Sequence, residues 1–264
     1  MESILGTFES QERQAPAKES APTAATSPAR KTTEKLGEQL VSLIDSESFE
    51  ANEYRVLRHR IEETRANAGR GLIGVTSPGA GEGKTTTAIN LAGTLAQSAG
   101  TRVLLIDADL RLPGVARHLG LRDAGAPGLT DLILDPRLTL ERVVRQRAPT
   151  NLFILTSGRH LAAPYETLLS QRMGDLLEQA RQTYDYVILD TPPVVPVPDL
   201  HAIARWVDRF IVVVAAHRTP RRYLEETLNA LDPEKVAGLV FNSADPPQPG
   251  PYGYYTGYGM PAGR

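Results

Sequence analysis

Residues 72–96 read "LIGVTSPGAGEGKTTTAINLAGTLA", an apolar run followed by a glycine-rich loop and a helical pattern. The apolar run predicts a buried strand, because it is short, continuous and bounded by proline and glycine. Glycines 79, 81 and 83 let backbone amides approach an anion closely at the start of the next helix. This strand–loop–helix order predicts an α/β domain that binds phosphate groups.

The loop supplies a set of predicted ATP-binding residues: Gly79, Ala80, Gly81, Glu82, Gly83, Lys84, Thr85 and Thr86. Lys84 can reach the terminal phosphates, and the Thr85 hydroxyl can ligate Mg²⁺. The strict P-loop pattern has glycine where this chain has Pro78. The competing interpretation is a glycine turn whose lysine faces solvent.

Five more apolar runs follow, at residues 102–108, 152–157, 186–191, 209–216 and 236–242. Several are apolar throughout, as in parallel strands that are covered on both faces. Most of the intervening segments are long enough for a crossover helix. We therefore predict one doubly wound, mostly parallel α/β domain over residues 48–243.

Carboxylates stand at the ends of two predicted strands. Asp107 and Asp109 follow one strand, and Asp190 ends another. Ligands of open parallel sheets bind beyond the carboxyl ends of the strands, so these side chains should converge on the loop. Each aspartate alone could instead be a helix cap or a turn residue. The predicted catalytic residues are Lys84, Asp107, Asp109 and Asp190; the predicted Mg²⁺ ligands are Thr85, Asp107 and Asp190; and Arg111 and Asn242 complete the predicted ATP site.

The two ends of the chain differ from its centre. Residues 10–35 are rich in Ala, Pro, Ser and Thr, which predicts a disordered leader over residues 1–47. A helical pattern follows at residues 48–69. Residues 244–264 predict a flexible tail, where four of the nine tyrosines lie within seven residues: Tyr252, Tyr254, Tyr255 and Tyr258.

Composition narrows the class of protein. The 264 residues carry a net charge of −2 and no cysteine. This balance disfavours nucleic acid as a partner, and the lack of cysteine excludes disulfides and thiolate chemistry. The start "MESILGTFES" lacks signal-peptide features, and no run of about 18 apolar residues occurs. These features fit a reducing compartment, and any association with a membrane is expected to come through a partner.

Three motifs, "GEGKTTTA", "LLIDADLRLP" and "VILDTPPV", resemble the Walker A, A′ and B motifs of the bacterial tyrosine kinases (BY-kinases). These are P-loop autokinases of capsule and exopolysaccharide production. The resemblance covers most of residues 50–258 and includes "APYETLLSQRM", similar to the family's Pro-Glu-Leu-Leu-Ser stretch. It implies ATP-dependent autophosphorylation of the tyrosine cluster, in trans within an oligomer.

The resemblance also implies partners, and a cytoplasmic location at the inner face of the cell membrane that is reached through one of them. The partners are a transmembrane polysaccharide co-polymerase that recruits and stimulates the kinase, a tyrosine phosphatase, and further copies of the chain in a ring. The ring helix of the family usually reads Glu-x-x-Arg-x-x-Arg, whereas this chain has Asn52 before Arg55 and Arg58, with Glu53 one residue off. A solvated amphipathic surface helix is the competing interpretation.

Two other functions remain open from the sequence. Switch ATPases of the partition or division-site positioning type share this sheet and these motifs. They usually carry a signature lysine early in the loop, where this chain has Gly79, and they lack the terminal tyrosines. An ATP-binding regulator of a membrane polysaccharide assembly, with little kinase activity, is the third possibility.

Overall fold

Helices and strands alternate along most of the computed structural model, which describes residues 37, 40–45, 47–68, 71–121 and 125–243. The strands are β1 (Leu72–Thr76), β2 (Val103–Asp107), β3 (Arg145–Arg147), β4 (Leu152–Leu155), β5 (Tyr186–Asp190), β6 (Arg209–Ala215) and β7 (Val236–Asn242). The α-helices are α1 (Val41–Ile44), α2 (Phe49–Ala68), α3 (Lys84–Leu95), α4 (Val115–His118), α5 (Leu129–Leu134), α6 (Leu140–Val143), α7 (Pro164–Leu169), α8 (Gln171–Thr183), α9 (Asp199–Ala204) and α10 (Arg221–Ala230). A 3₁₀ turn, Pro233–Lys235, precedes β7.

The strands form one sheet in the order β3-β4-β2-β5-β1-β6-β7. All pairs are parallel except β3 with β4. The predicted mostly parallel, doubly wound sheet is confirmed. β3 was not predicted, because its sequence Arg-Gln-Arg has no apolar pattern and the strand lies at an exposed edge.

Apolar side chains cover both faces of the sheet. On one face α3 packs Ile89, Leu91 and Leu95 against the strands. On the other face α8 and α9 contribute Leu177 and Ile203, among others. Because β1, β2 and β5 are buried along their whole length, their sequences are continuously apolar rather than alternating.

The predicted leader boundary at residue 47 is wrong for its last residues. Leu40 is fully buried, and α1 packs against α3. The amide and the hydroxyl of Ser42 each donate to Asn90 Oδ1 over 3.0 Å. A Cβ on Gly93 would lie 2.7 Å from Ser42 Oγ, so glycine permits this close packing. A four-residue helix is too short to show periodicity, which explains the error. Residues 1–36 and 244–264 lie outside the described residues, so the rest of the leader and the tail stay predictions.

The predicted helix at residues 48–69 is confirmed as α2. Asn52 and Glu53 are exposed, and Asn52 Oδ1 accepts a hydrogen bond from Arg55. Arg55 also pairs with Glu47, and Arg58 Nε donates to Glu62 Oε1 over 2.8 Å. These residues have partners within their own chain, and their role in a ring stays a prediction. No helix in the described ranges is long and apolar enough to cross a bilayer.

Candidate phosphate-binding and catalytic site

The glycine loop joins β1 to α3 and touches the end of β7. Gly81 and Gly83 have positive φ values of 77° and 94°, which side chains strongly disfavour. A Cβ on Gly83 would lie 1.9 Å from Asn242 Nδ2. Asn242 Nδ2 donates to the carbonyl of Glu82 over 3.0 Å. The predicted nucleotide residue at the end of β7 thus lies directly against the loop.

Two predicted loop residues bond to each other rather than line the cavity. Glu82 Oε1 accepts from the amide of Gly79 over 3.1 Å. Glu82 is 6% exposed, and burial raises the pKa of its carboxyl. The other six predicted loop residues line the cavity: Ala80, Gly81, Gly83, Lys84, Thr85 and Thr86. The Glu82 carboxylate therefore braces the loop from within.

Lys84 brings the strand-end carboxylates together. Its Nζ lies 2.8 Å from Asp109 Oδ2 and 3.5 Å from Asp190 Oδ1. The Thr85 hydroxyl donates to Asp190 Oδ2 over 2.6 Å. Asp107 is the register partner of Asp190 across β2 and β5. The structure thus places all four predicted catalytic side chains at one edge of the sheet.

Burial and mutual repulsion dominate the electrostatics of this edge. Burial lowers the pKa of Lys84, but the Asp190 and Asp109 carboxylates outweigh it and raise the pKa overall. Burial, and then Asp190, raise the pKa of Asp107 well above its usual value. Burial likewise raises the pKa of Asp190, although Lys84 opposes this. One ammonium group therefore compensates three buried carboxyl groups incompletely.

The donors at this edge fit a hard cation. Asp107 Oδ2 accepts from the amides of Gly114 and Val115, both at 3.0 Å. Asp107 Oδ1 and Asp190 Oδ1 are buried and accept no hydrogen bond from the described residues, although Lys84 Nζ forms a long ion pair with Asp190 Oδ1. Together with the Thr85 hydroxyl they are oxygen donors of the kind Mg²⁺ prefers. Among the described residues, no group of three or more His, Cys, Asp or Glu side chains is arranged to hold a metal ion.

Arg111 is held at the edge of the site by an ion pair with a residue that the sequence did not predict as its partner. Its Nε and Nη2 donate to the two Asp199 carboxylate oxygens over 2.5 and 2.9 Å. Asp199 is 1% exposed, so the pair fixes Arg111 against the start of α9. Arg111 lines the cavity, and its contact with nucleotide stays a prediction.

The cavity at this edge has a volume of about 1100 Å³. Its walls include residues that sequence analysis did not predict: Val41, Asp45, Ser48, Glu50, Tyr54, Arg117, His118 and Arg218. Burial raises the pKa of the Tyr54 hydroxyl. These residues come from α1, α2, α4 and the loop after β6, and no local motif marks them. A cavity of this size is large enough to hold a nucleotide, because ordinary ligand pockets measure about 300–1000 Å³.

Replacing Asp107 with asparagine is expected to stabilise the empty protein at neutral and higher pH. A carboxyl whose pKa is raised on folding contributes stability that is complete below its unfolded pKa and is lost as pH rises through the folded pKa. Asparagine Oδ1 can still accept from Gly114 and Val115. The difference in Tm between Asp107→Asn and the natural chain should grow from about pH 4 to pH 8.

Thermal unfolding without nucleotide measures this difference. Asp175→Asn, an exposed change on α8, serves as the control and should show no such growth. A constant difference for Asp107→Asn across the pH range would contradict the raised pKa.

Comparison with known proteins adds family evidence to this geometry. A family model described as an AAA domain matches residues 72–232. The tyrosine-protein kinase YwqD of Bacillus subtilis is 33% identical over 223 residues, which is 84% of this chain and 92% of that protein. The tyrosine-protein kinase ptk of Acinetobacter johnsonii is 34% identical over 77% of this chain, but the match spans only 27% of that protein.

This chain also resembles a solved structure of a tyrosine kinase domain. The BceF tyrosine kinase domain is 29% identical to this chain and superposes with a TM-score of 0.68. The match covers 76% of this chain and 81% of that domain. Both the sequence matches and this structural match fall on proteins named as tyrosine kinases.

Proposed function

This chain belongs to the bacterial tyrosine-protein kinase family, and on this basis we propose that it phosphorylates its own C-terminal tyrosines, Tyr252, Tyr254, Tyr255 and Tyr258. The observation that carries the proposal is the position of Lys84 between Asp109 and Asp190 at the mouth of the glycine loop. A phosphoryl group needs positive charge on one side and a proton acceptor on the other. This edge of the sheet supplies both.

Each predicted site residue then has a role in phosphoryl transfer. Lys84 moves from the carboxylates to the terminal phosphates of ATP. Thr85, Asp107 and Asp190 would hold Mg²⁺ together with ATP oxygens, and the ion would supply positive charge to the phosphoryl oxygens. Asp109 lines the cavity, which supports it as the acceptor for the tyrosyl proton.

In the transfer, the bond between the terminal phosphorus of ATP and its bridging oxygen breaks. A bond between that phosphorus and the tyrosyl oxygen forms, ADP leaves, and the tyrosyl proton passes to a carboxylate. The unperturbed tyrosyl pKa is near 10, so a base within reach is required at neutral pH.

Assembly and partners are also proposed. From Asn242 to Tyr252 is ten residues, about 33–36 Å when extended, so the tail can reach the site of a neighbouring copy. A ring through the α2 residues Arg55 and Arg58 would bring such a copy close. The family resemblance supports recruitment by a transmembrane polysaccharide co-polymerase at the inner membrane face, reversal by a tyrosine phosphatase, and control of exopolysaccharide polymerisation and export.

The test incubates the purified chain with ATP and Mg²⁺ and follows phosphotyrosine by blotting and mass spectrometry. The natural chain should label within residues 252–258, and the matched variant with all four tyrosines changed to phenylalanine should not. Hydrolysis of ATP by both proteins without phosphotyrosine would instead indicate a partition-type switch ATPase. Binding of ATP with neither hydrolysis nor labelling would indicate an ATP-binding regulator of a membrane polysaccharide assembly.

Light scattering during the same time course tests the assembly. Four phosphotyrosines add about −6 to −8 charges, which should repel the tail from the acidic site and loosen the oligomer. The natural chain should drift to smaller species, while the four-phenylalanine variant stays assembled in ATP. Equal masses at full labelling would contradict an assembly switch and leave the kinase activity standing.

A further inference from the structure

β7 is an edge strand whose sequence lacks the charges and prolines that usually protect against pairing, although its pairing with β6 skips Ala237 in a bulge-like irregularity. It lies at the end of the sheet and pairs with β6 alone among the described strands. Its sequence "VAGLVFN" contains no charged residue and no proline. Natural edge strands are normally blunted by charge, proline or a covering segment. We therefore expect another segment to cover the edge of β7.

The exposed side of β7 is apolar as well as open. Leu239 is 38% exposed and Phe241 is 60% exposed, and both project from the same face of the strand. On the opposite face, no atom of the described residues lies within 4 Å of a Cβ built on Gly238. A segment that covered this edge would need bulky groups on the Leu239 face and small groups on the other face.

The outward backbone groups can be assigned. The carbonyl of Asn242 accepts from the Ala216 amide over 2.8 Å, so Asn242 directs its backbone toward β6. Successive residues of a strand direct their backbone groups to opposite sides. Leu239 and Phe241 therefore turn their amides and carbonyls to the open edge.

We propose that residues 252–258 of this chain's own tail pair with the open edge of β7, antiparallel to it, and that phosphorylation releases them. In the antiparallel register that sets Tyr254 opposite Phe241, Thr256 lies opposite Leu239 and Gly257 lies opposite Gly238. Tyr252, Tyr254 and Tyr258 fall on one face of a strand with Thr256, while Gly253, Tyr255 and Gly257 fall on the other. The first face matches the side of Leu239 and Phe241, and the two glycines match the side of Gly238.

The segment that links β7 to residue 252 favours antiparallel pairing of the tail with β7. The tail continues directly from Ser243, whose φ of 57° turns the chain away from the direction of β7. The segment 244–251 holds four prolines, and residues 252–258 hold none. Proline cannot donate to a strand ladder and is well suited to a turn. The prolines are therefore confined to the connecting loop of the proposed hairpin.

Docking on β7 would withhold acceptor tyrosines from the nucleotide. β7 begins at Val236 and ends at the cavity with Asn242, so a docked Tyr258 would lie at the end of β7 away from the cavity. Each phosphate adds about −1.5 to −2 charges. On an apolar face and next to other phosphates, these charges would destabilise the docked state of the tail. The release step rests on the proposed kinase activity, whereas the docking step does not.

Hydrogen exchange of the full chain tests the docking without nucleotide. Thr256→Pro removes an amide from the pairing segment and leaves every tyrosine in place. Gln248→Pro is the matched control, because it adds a proline to the proline-rich connection. Thr256→Pro should speed exchange of the Leu239 and Phe241 amides about tenfold or more, whereas Gln248→Pro should leave it unchanged.

Equal rates in the natural chain and in Thr256→Pro would overturn the docking. Rates that rise on dilution of the protein would overturn it in favour of contact between copies. A second arm repeats the measurement after labelling with ATP and Mg²⁺. Exchange at Leu239 and Phe241 should then match that of Thr256→Pro, and retained protection on a phosphorylated tail would overturn the release step alone.

Discussion

Replacing Lys84 with methionine is expected to lower the rate of tyrosine phosphorylation by about a thousandfold. The ammonium group is the cation placed at the loop, and the transferring phosphoryl group needs it where charge develops. Methionine has a similar length but carries no charge. The rate of phosphotyrosine formation measures the effect, and circular dichroism should show unchanged secondary structure.

Lys235→Met is the matched control for this change. Lys235 donates to the carbonyl of Ala204 over 2.9 Å and does not line the cavity. Its loss should leave the rate within about twofold of the natural chain, because it supplies no charge to the site. If Lys84→Met labelled its tyrosines at the natural rate, Lys84 would not be the phosphate lysine.

Replacing Asp190 with asparagine is expected to lower the rate about a hundredfold or more and to weaken its dependence on Mg²⁺. Asp190 is fully buried, and one of its carboxylate oxygens has no hydrogen-bond partner among the described residues. Asparagine can still accept from the Thr85 hydroxyl, so the local fold should remain. The change removes the negative charge that helps to hold the Mg²⁺ ion.

A titration of rate against Mg²⁺ separates this effect from misfolding. Asp185→Asn changes the same residue type near the other end of β5, where Asp185 Oδ2 accepts from the amide of Arg102 over 2.9 Å. That variant should keep the natural Mg²⁺ dependence. An Asp190→Asn curve that overlays the natural curve would remove Asp190 from the predicted metal site.

The fold was readable from the sequence where local pattern and tertiary burial agree. Strands such as β1 and β5 are apolar throughout because they are covered on both faces, and the sequence shows this directly. β3 was missed because an exposed edge strand needs only backbone pairing with β4, which any sequence can supply. The α1 segment was missed because its helix is one turn long.

The site was readable where its residues follow the ends of strands. The convergence of Asp109 and Asp190 on Lys84 follows from parallel topology and the loop between β1 and α3. The pairing of Arg111 with Asp199 joins residues 88 positions apart, and no motif announces it. The inward turn of Glu82 toward Gly79 depends on side-chain geometry that a sequence pattern does not encode.

The attachment of α1 to α3 gives the N-terminal region a mechanical connection to the glycine loop. Ser42 is bonded to Asn90, and the Gln97 side chain donates to the Ser42 carbonyl over 2.9 Å. Lys84 is the first residue of that same helix. Tension applied to the chain ahead of Leu40, for example by tethering at a membrane, would therefore be transmitted to the helix that positions the phosphate lysine. A chain shortened to begin at α2 would lose this linkage.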